Sequence, residues 1–146
     1  MVSESTIQFL KDLKTNNNRE WFLDNKKRYE AVKKEYYQLT ADLLDSMKAL
    51  DPALALLEVK NCVFRINRDI RFSKDKTPYK NHFSVGFSRT KPMLRGGMYL
   101  HIENDASFVG GGFWEPNNED LLRIRKELEL DASDLREIIA DETFKK

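Results

Sequence analysis

Apolar residues in the first fifty positions recur at the spacing of α-helices. Ser3 or Ser5 can cap a short first helix, whose apolar positions are Ile7, Leu10 and Leu13. Asn18 is then an N-cap for a long helix that starts at Arg19 and ends at Asp51-Pro52, because the residue before a proline avoids helical angles. That helix has one apolar stripe, made of Phe22, Tyr29, Val32, Tyr36, Leu39, Leu43, Met47 and Leu50. The pattern predicts two N-terminal helices.

The middle of the chain alternates between apolar and polar residues with the period of half-buried strands. The alternating runs are 62–72, 82–88 and 98–103. A turn at Asn104-Asp105 returns the chain into a further strand at 106–109. The run Gly110-Gly111-Gly112 has no side chains to pack and suits a bulge or a close backbone approach. We therefore predict an antiparallel sheet of at least three strands between Cys62 and Gly112.

Strand parity sorts these side chains onto two faces. One face is apolar and is expected to pack under the helices; it comprises Phe64, Ile66, Ile70, Phe72, Phe83, Val85, Phe87, Met98, Leu100 and Ile102. The other face is polar and comprises Arg65, Asn67, Asp69, Arg71, His82, Ser84, Ser88, Tyr99, His101 and Glu103. An ordinary solvent face prefers Thr, Lys and Glu, whereas this one carries arginines, both histidines and a tyrosine. That composition favours a surface that binds a ligand.

Two further helical patterns close the chain. The first starts after Asn117 or Asn118 and the second at Asp131 or Ser133, with apolar positions at Leu121, Ile124, Leu128, Leu135, Ile138 and Ile139. The predicted fold class is α+β, with an N-terminal helical hairpin, a central antiparallel sheet and C-terminal helices in a single domain over residues 1–146. Because the chain stops just after Phe144 without a capping glycine or polar tail, we expect a truncation at the C-terminus, with apolar surface exposed there.

Composition indicates a folded cytoplasmic protein. Charged residues make up 34% of the chain and apolar residues 40%, and an aromatic share of 11% supplies the core. No apolar run is long enough to span a bilayer, and the first ten residues lack the pattern of a signal peptide, so no membrane partner is predicted. Cys62 is the single cysteine, which excludes an internal disulfide and fits a reducing cytosol.

Positive charge is concentrated between Lys60 and Arg95, here called the cationic segment. It carries ten Lys or Arg residues against Asp69 and Asp75, in a chain whose net charge is only +1. Arginine offers bidentate donors and lysine a mobile point charge, which together suit phosphate or carboxylate. The candidate ligand-binding residues are Arg65, Arg68, Arg71, Lys74, Lys76 and Lys80. Alternatively, the two aspartates pair with neighbouring arginines and the lysines are simply solvated.

A small anionic or nucleotide-like ligand is the partner that this segment favours. Single-stranded nucleic acid is a second version of the same hypothesis, since Phe72, Tyr79 and Phe83 interleave with basic residues. Against it, the chain has no RNA-binding motif and is nearly neutral overall. On the ligand hypothesis one concave polar face is lined and rimmed by Arg65, Arg71, His82, His101, Lys74, Lys76 and Lys80. A non-catalytic protein-interaction or structural module is the other function class.

Candidate chemistry on the polar face comes from His82, His101 and Glu103. His101 and Glu103 share a strand face, and His82 faces them from a neighbouring strand. These groups could perform acid–base catalysis, and two histidines with a carboxylate can bind a divalent ion. Structural histidines are the commoner outcome, so no metal or cofactor is predicted. The chain has no Walker loop and no nucleophile elbow, and whether it is an enzyme stays undecided.

Three blocks of residues carry a resemblance to a known family. They are the run 18–22 with Asn25 and Tyr29, the run 64–81, and the run 97–103 with residues 110–114. These blocks resemble the bacterial and fungal domain of unknown function that is numbered 2461. The resemblance spans nearly the whole chain and implies that it corresponds to the first two thirds of family members. The family has no established activity, so the resemblance implies fold boundaries but no chemistry.

Overall fold

The helices at the start of the chain pack on the sheet that follows them, in a computed structural model that describes residues 2–89 and 96–145. In chain order the helices are α1 (Glu4–Thr15), α2 (Arg19–Asp24), α3 (Lys26–Leu50), α4 (Val59–Cys62), α5 (Asn118–Leu130) and α6 (Ser133–Ala140), with a 3₁₀ turn at Pro52–Leu54. The strands are β1 (Phe83–Ser88), β2 (Gly97–Ile102) and β3 (Phe108–Gly112). The α+β class and the order of helices, sheet and helices are confirmed. Within the described residues, no helix is long and apolar enough to cross a membrane.

The predicted caps form at the helices of the N-terminal region. The Ser3 side chain accepts a hydrogen bond from the Thr6 amide, and the Asn18 side chain accepts one from the Trp21 amide. Each cap thus gives an acceptor to a backbone N–H of the first helical turn that has no partner within the helix. The long predicted helix is interrupted only at Asn25, which separates α2 from α3. There the Asn25 side chain donates to the Trp21 carbonyl and accepts from Arg28.

α3 builds the core of residues 1–112 with a face that only partly matches the predicted stripe. Its buried positions are Val32, Tyr36, Thr40 and Leu44, and they meet buried Phe9, Leu10 and Leu13 of α1. Three predicted stripe positions, Leu39, Leu43 and Met47, are only partly buried, and Leu50 is 85% exposed. Tyr36 joins the helix to the sheet, because its ring stacks on Phe83 with centroids 4.5 Å apart. Its hydroxyl also donates to the Ser84 carbonyl and accepts from the Phe64 amide. The core thus fixes which face of the sheet points away from the helices.

The sheet is antiparallel with the order β1-β2-β3. Its core face carries buried Phe83, Val85, Phe87 and Ile102, as strand parity predicts. In the register, Ser84 lies opposite His101, and His101 lies opposite Phe108. These three residues therefore lie on the opposite, polar face, in a row across all three strands.

The strand predicted over 62–72 is wrong. Cys62 ends α4, and the residues after it form an extended loop with isolated bridges, Val63 to Val85 and Asn67 to Tyr79. Local side-chain bonds take the place of regular pairing here: the Asp69 and Asp75 carboxylates accept from the Arg71 and Thr77 amides. Ile66 is still buried, but Phe72, expected in the core, is 95% exposed.

Residues 113–146 form a second compact unit, distinct from residues 1–112. The side chain of Asn117 accepts a hydrogen bond from the Asp120 amide and caps α5. The Asp131 carboxylate accepts from the Ser133 amide just before α6. Both predicted C-terminal helices are present, and apolar Ile138, Ile139 and Phe144 are about half exposed.

Candidate functional site

The polar face of the sheet brings three predicted site residues together. His101 lies on β2 and points away from the core, while Glu103 follows β2 and His82 precedes β1. One ring nitrogen of each histidine and one carboxylate oxygen of Glu103 all lie within 4.8 Å of one another. We call these three residues the histidine cluster. It contains both histidines of the chain.

The His101 ring has hydrogen-bond partners at both nitrogens and contacts two neighbouring rings. Its Nε2 lies 3.0 Å from Glu103 Oε2, and its Nδ1 lies 3.3 Å from the Tyr99 hydroxyl. The ring stacks on Phe108 at 4.9 Å and lies 4.2 Å from the His82 ring, measured between centroids. Its side chain is only 12% exposed. The orientation of the imidazole is therefore fixed by hydrogen bonds at both nitrogens.

Glu103 receives hydrogen bonds from distant parts of the chain. Its Oε1 accepts from Asn81 Nδ2 at 2.6 Å and from Lys14 Nζ on α1 at 3.4 Å. Its backbone amide and carbonyl both bond the Ser107 hydroxyl in the turn before β3. Partial burial alone would raise the pKa of the Glu103 carboxyl, but the hydrogen bonds from His101 and Lys14 outweigh burial and lower it. The carboxylate is therefore ionised at neutral pH.

His82 is kept neutral. Burial is the largest cause, followed by the charges of His101 and Lys80, and together they lower the pKa of His82 to about 4 despite the opposing Glu103 carboxylate. Its ring is therefore an unprotonated imidazole at neutral pH, a form whose free nitrogen can act as an acceptor.

Tyr99 links the histidine cluster to β1. Its hydroxyl donates to Ser84 Oγ at 2.7 Å and also contacts His101 Nδ1. Ser84, on the same face, is only 3% exposed. A hydroxyl so deeply covered is inaccessible to substrate, so a nucleophilic role for Ser84 does not fit this geometry.

The cationic segment divides into paired and unpaired charges. Arg71 pairs with Asp69 at 2.6 Å, while Arg68 bonds Asp75, the Thr77 hydroxyl and the Thr77 carbonyl, which closes the loop around it. Lys76 donates to the Ile70 carbonyl at 2.9 Å. Both aspartates thus pair with arginines, as the alternative interpretation expects. The Lys91 and Arg95 end of the segment lies outside the described residues.

Four cations of the segment have no carboxylate within ion-pairing distance among residues 2–89 and 96–145: Arg65, Lys74, Lys76 and Lys80. Arg65 and Lys74 are exposed, whereas Lys80 is partly buried, with its ammonium 5.3 Å from the centre of the Phe64 ring. Burial, and secondarily the charge of Arg65, lower the pKa of Lys80. Lys80 in turn lowers the pKa of His82, so this positive charge acts on the histidine cluster.

The glycine run of β3 leaves part of the polar face bare. A methyl group added at Gly110 would meet nothing within 4 Å, and β3 pairs with β2 in unbroken register, so the expected bulge is absent from this pair. The close backbone approach occurs instead at Gly97, where an added Cβ would lie 2.3 Å from the Phe87 carbonyl oxygen. Bare backbone at Gly110, which pairs with Tyr99, leaves room for a ligand beside the tyrosine.

Strand parity predicts the residues of the histidine cluster but not the residues that hydrogen-bond Glu103 from outside the sheet. Lys14 and Asn81 reach Glu103 from outside the sheet, and no local pattern in the sequence marks either of them. Arg65 and Arg71 were expected to line the polar face by parity with a strand that does not form. Arg71 instead pairs with its neighbour Asp69 and its side chain is 75% exposed.

Comparisons with known proteins place the chain in a family. A family model described as conserved hypothetical protein (DUF2461) matches residues 5–146. Neither the curated proteins nor the solved structures contain a match. The chain therefore belongs to the DUF2461 family, as its three sequence blocks predict.

Proposed function

We propose that this member of the DUF2461 family binds a small anionic or nucleotide-like ligand on the polar face of its sheet, beside Lys80. The observation that carries the proposal is the environment of the Lys80 ammonium. It is partly buried, no carboxylate of the described residues pairs with it, and the like charge of Arg65 acts on it. A partly desolvated cation without a counter-charge is unfavourable, so an anion bound there would be stabilised.

Aromatic rings next to this charge support a ligand with a planar group. Phe64 is 49% exposed and lies beneath the Lys80 ammonium, and Phe108 is 53% exposed beside His101. Tyr99 lies between them, within 6.2 Å of both rings. Exposed rings beside cations are the combination on which nucleobases stack, and each stacked base contributes about 1–3 kcal/mol.

The remaining predicted ligand residues have unequal roles in this proposal. Arg65 and Lys80 contribute charge at the site itself. The charges of Arg68 and Arg71 are largely neutralised by Asp75 and Asp69, so these two arginines stabilise the loop and contribute little to ligand binding. Lys74 and Lys76, the residues predicted for the rim, add a longer-range attraction that salt screens over about 8–10 Å.

The direct test is binding of pyrophosphate and of ADP at low salt, measured by calorimetry on chelator-treated protein. Lys80→Met should weaken both by about tenfold or more, the effect of losing one charge-assisted contact. Lys27→Met, which removes the same charge from an exposed position on α3, should leave affinity unchanged. Arg71→Met should also have little effect. Equal losses in the Lys27 and Lys80 variants, or no binding by the wild type, would contradict the proposal.

Two further binding measurements distinguish the classes of ligand. Phe108→Ala should weaken ADP but not pyrophosphate, if a base stacks on the ring. A short single-stranded oligonucleotide that binds much more tightly than ADP would favour the nucleic-acid alternative. We place the binding in the cytosol, where the buried free thiol of Cys62 is stable.

A protein-interaction module is the second candidate function. Phe72 at 95% exposure and Leu23 at 67% are apolar side chains on the surface of residues 1–112. Large exposed apolar groups are typical of protein contacts when they cluster. Under this alternative, Phe72→Ser would abolish partner capture while Lys80→Met would not.

A further inference from the structure

We infer that His82, His101 and Glu103 bind a divalent first-row metal ion, with Zn²⁺ as the best fit, through one atom from each side chain. Two histidine nitrogens and one carboxylate oxygen form a ligand set that zinc enzymes use while leaving a coordination position open. The three ligand atoms already lie within 4.8 Å of one another in partly buried side chains. This inference goes beyond the proposed function and needs no anionic ligand.

The spacing of the ligand atoms is close to that of a metal site. With metal–ligand bonds of about 2.0–2.2 Å, neighbouring ligands of a tetrahedral ion lie roughly 3.3 Å apart. His101 Nε2 and Glu103 Oε2 are 3.0 Å apart. The His82 ring lies against the His101 ring, with centroids 4.2 Å apart. Small side-chain rotations are therefore enough to bring all three atoms onto one ion.

The contacts of His101 are compatible with a metal ion at Nε2. The Tyr99 hydroxyl donates its hydrogen to Ser84 Oγ, so it presents a lone pair that can accept a hydrogen from His101 Nδ1. When Nδ1 carries that hydrogen, Nε2 has a free lone pair for the ion, 3.0 Å from Glu103 Oε2. Without an ion, a hydrogen on Nε2 bonds Glu103 instead.

Outer contacts of the kind that metal ligands need are already in place. Histidine ligands of metals bond a protein acceptor with their second ring N–H, and ligand carboxylates are in turn hydrogen-bonded. Here the Tyr99 hydroxyl lies at hydrogen-bonding distance from Nδ1, and Glu103 Oε1 accepts from Asn81 and Lys14, which leaves Oε2 for the ion. The cluster thus has ligands and an oriented surrounding shell.

The test is titration of the untagged, chelator-treated chain with Zn²⁺ by calorimetry, without phosphate. We expect one ion per chain, and affinity reduced by tenfold or more in Glu103→Gln. Glu58→Gln, at an exposed carboxylate paired with Lys60, is the matched control and should bind as the wild type does. Substoichiometric binding by the wild type, or equal affinity in the two variants, would overturn the inference.

A second measurement uses the wild type only and does not depend on how the variants fold. Because the chain has two histidines, the imidazole ¹⁵N spectrum contains only their four ring nitrogens. Zn²⁺ should shift one nitrogen of each ring together, at one equivalent. A shift in neither ring, or in one alone, contradicts the site. Pyrophosphate binding by the metal-free chain is measured separately, so failure of one proposal is distinguishable from failure of the other.

Discussion

Glu35 joins the first turn of α1 to α3 through a single carboxylate. It accepts hydrogen bonds from the Ser3 amide and hydroxyl, both at 2.5 Å, and from the Thr6 hydroxyl at 2.7 Å. Partial burial alone would raise the pKa of Glu35, but these hydrogen bonds outweigh burial and lower it. The ionised carboxylate is therefore the form that the folded state prefers.

We expect Glu35→Gln to lower the free energy of unfolding by about 1–2 kcal/mol at neutral pH, because charge-assisted hydrogen bonds become neutral ones or are lost. Glu30→Gln, at an exposed position on the same helix, should change it by less than about 0.5 kcal/mol. Urea denaturation of the two variants measures the difference. Equal stabilities would show that the Glu35 contacts contribute nothing net.

The same residue predicts a pH dependence. Since the folded-state pKa of Glu35 is depressed, its stabilisation is fully present above the unfolded pKa of a glutamate, near about 4.3, and is lost as pH falls through the lower folded value. The wild type should therefore lose more stability than Glu35→Gln does when the pH falls from 7 to 3. Parallel melting curves at several pH values would detect this, and an unchanged difference between the proteins would contradict it.

At the scale of elements, β1 and β2 approach so closely that one position excludes a side chain. A Cβ at Gly97 would lie 2.3 Å from the Phe87 carbonyl oxygen and 2.9 Å from Ser88 Cα, both backbone atoms that cannot move aside cheaply. Gly110 on β3 faces open space. Of these two glycines in one sheet, Gly97 has no space for a side chain, whereas Gly110 has space for one.

We expect Gly97→Ala to destabilise the protein by about 1–3 kcal/mol, because the strands must separate to admit the methyl group. Gly110→Ala should be neutral or slightly stabilising, since alanine restricts the unfolded chain. Thermal melts of the two variants compare the same chemical change at both sites. If the Gly110 variant is as unstable as the Gly97 variant, the loss of stability comes from the backbone conformation that glycine allows and not from the space available to the methyl group.

At the scale of the whole molecule, the chain divides into residues 1–112 and 113–146. The stretch from Phe113 to Asn117 lies outside any helix or strand and is exposed, with Trp114 at 89%. Phe72 is equally accessible but lies in the loop that Arg68 closes through Asp75 and Thr77. A bound loop resists the local unfolding that cleavage needs.

Limited digestion with chymotrypsin should therefore cut first after Phe113 or Trp114, giving two fragments identifiable by mass. Phe72→Ala should leave this first cut and its rate unchanged. If the first cut falls instead at Phe72, the loop opens more readily than the boundary between the units.

Sequence reasoning succeeded where neighbouring residues carry the signal. The cap at Asn18, the helical period of α3 and the parity that puts His101 with Glu103 all depend on residues a few positions apart. It failed over 62–72, where alternation was genuine but the Asp69 and Asp75 carboxylates bond nearby backbone amides in place of strand partners. Lys14 reaches Glu103 across 89 positions of sequence, a contact that no local period encodes.

The Tyr36 hydroxyl, which bonds the Ser84 carbonyl and the Phe64 amide, has a consequence for self-association. The Ser84 carbonyl lies on the outer edge of β1, and the Phe64 amide belongs to the loop that bonds this carbonyl. The tyrosine and the loop therefore occupy a position where a strand from another molecule would pair. β3 forms the other edge of the sheet. Its glycines are among the weakest strand formers, so the composition of β3 disfavours pairing with a strand from another molecule.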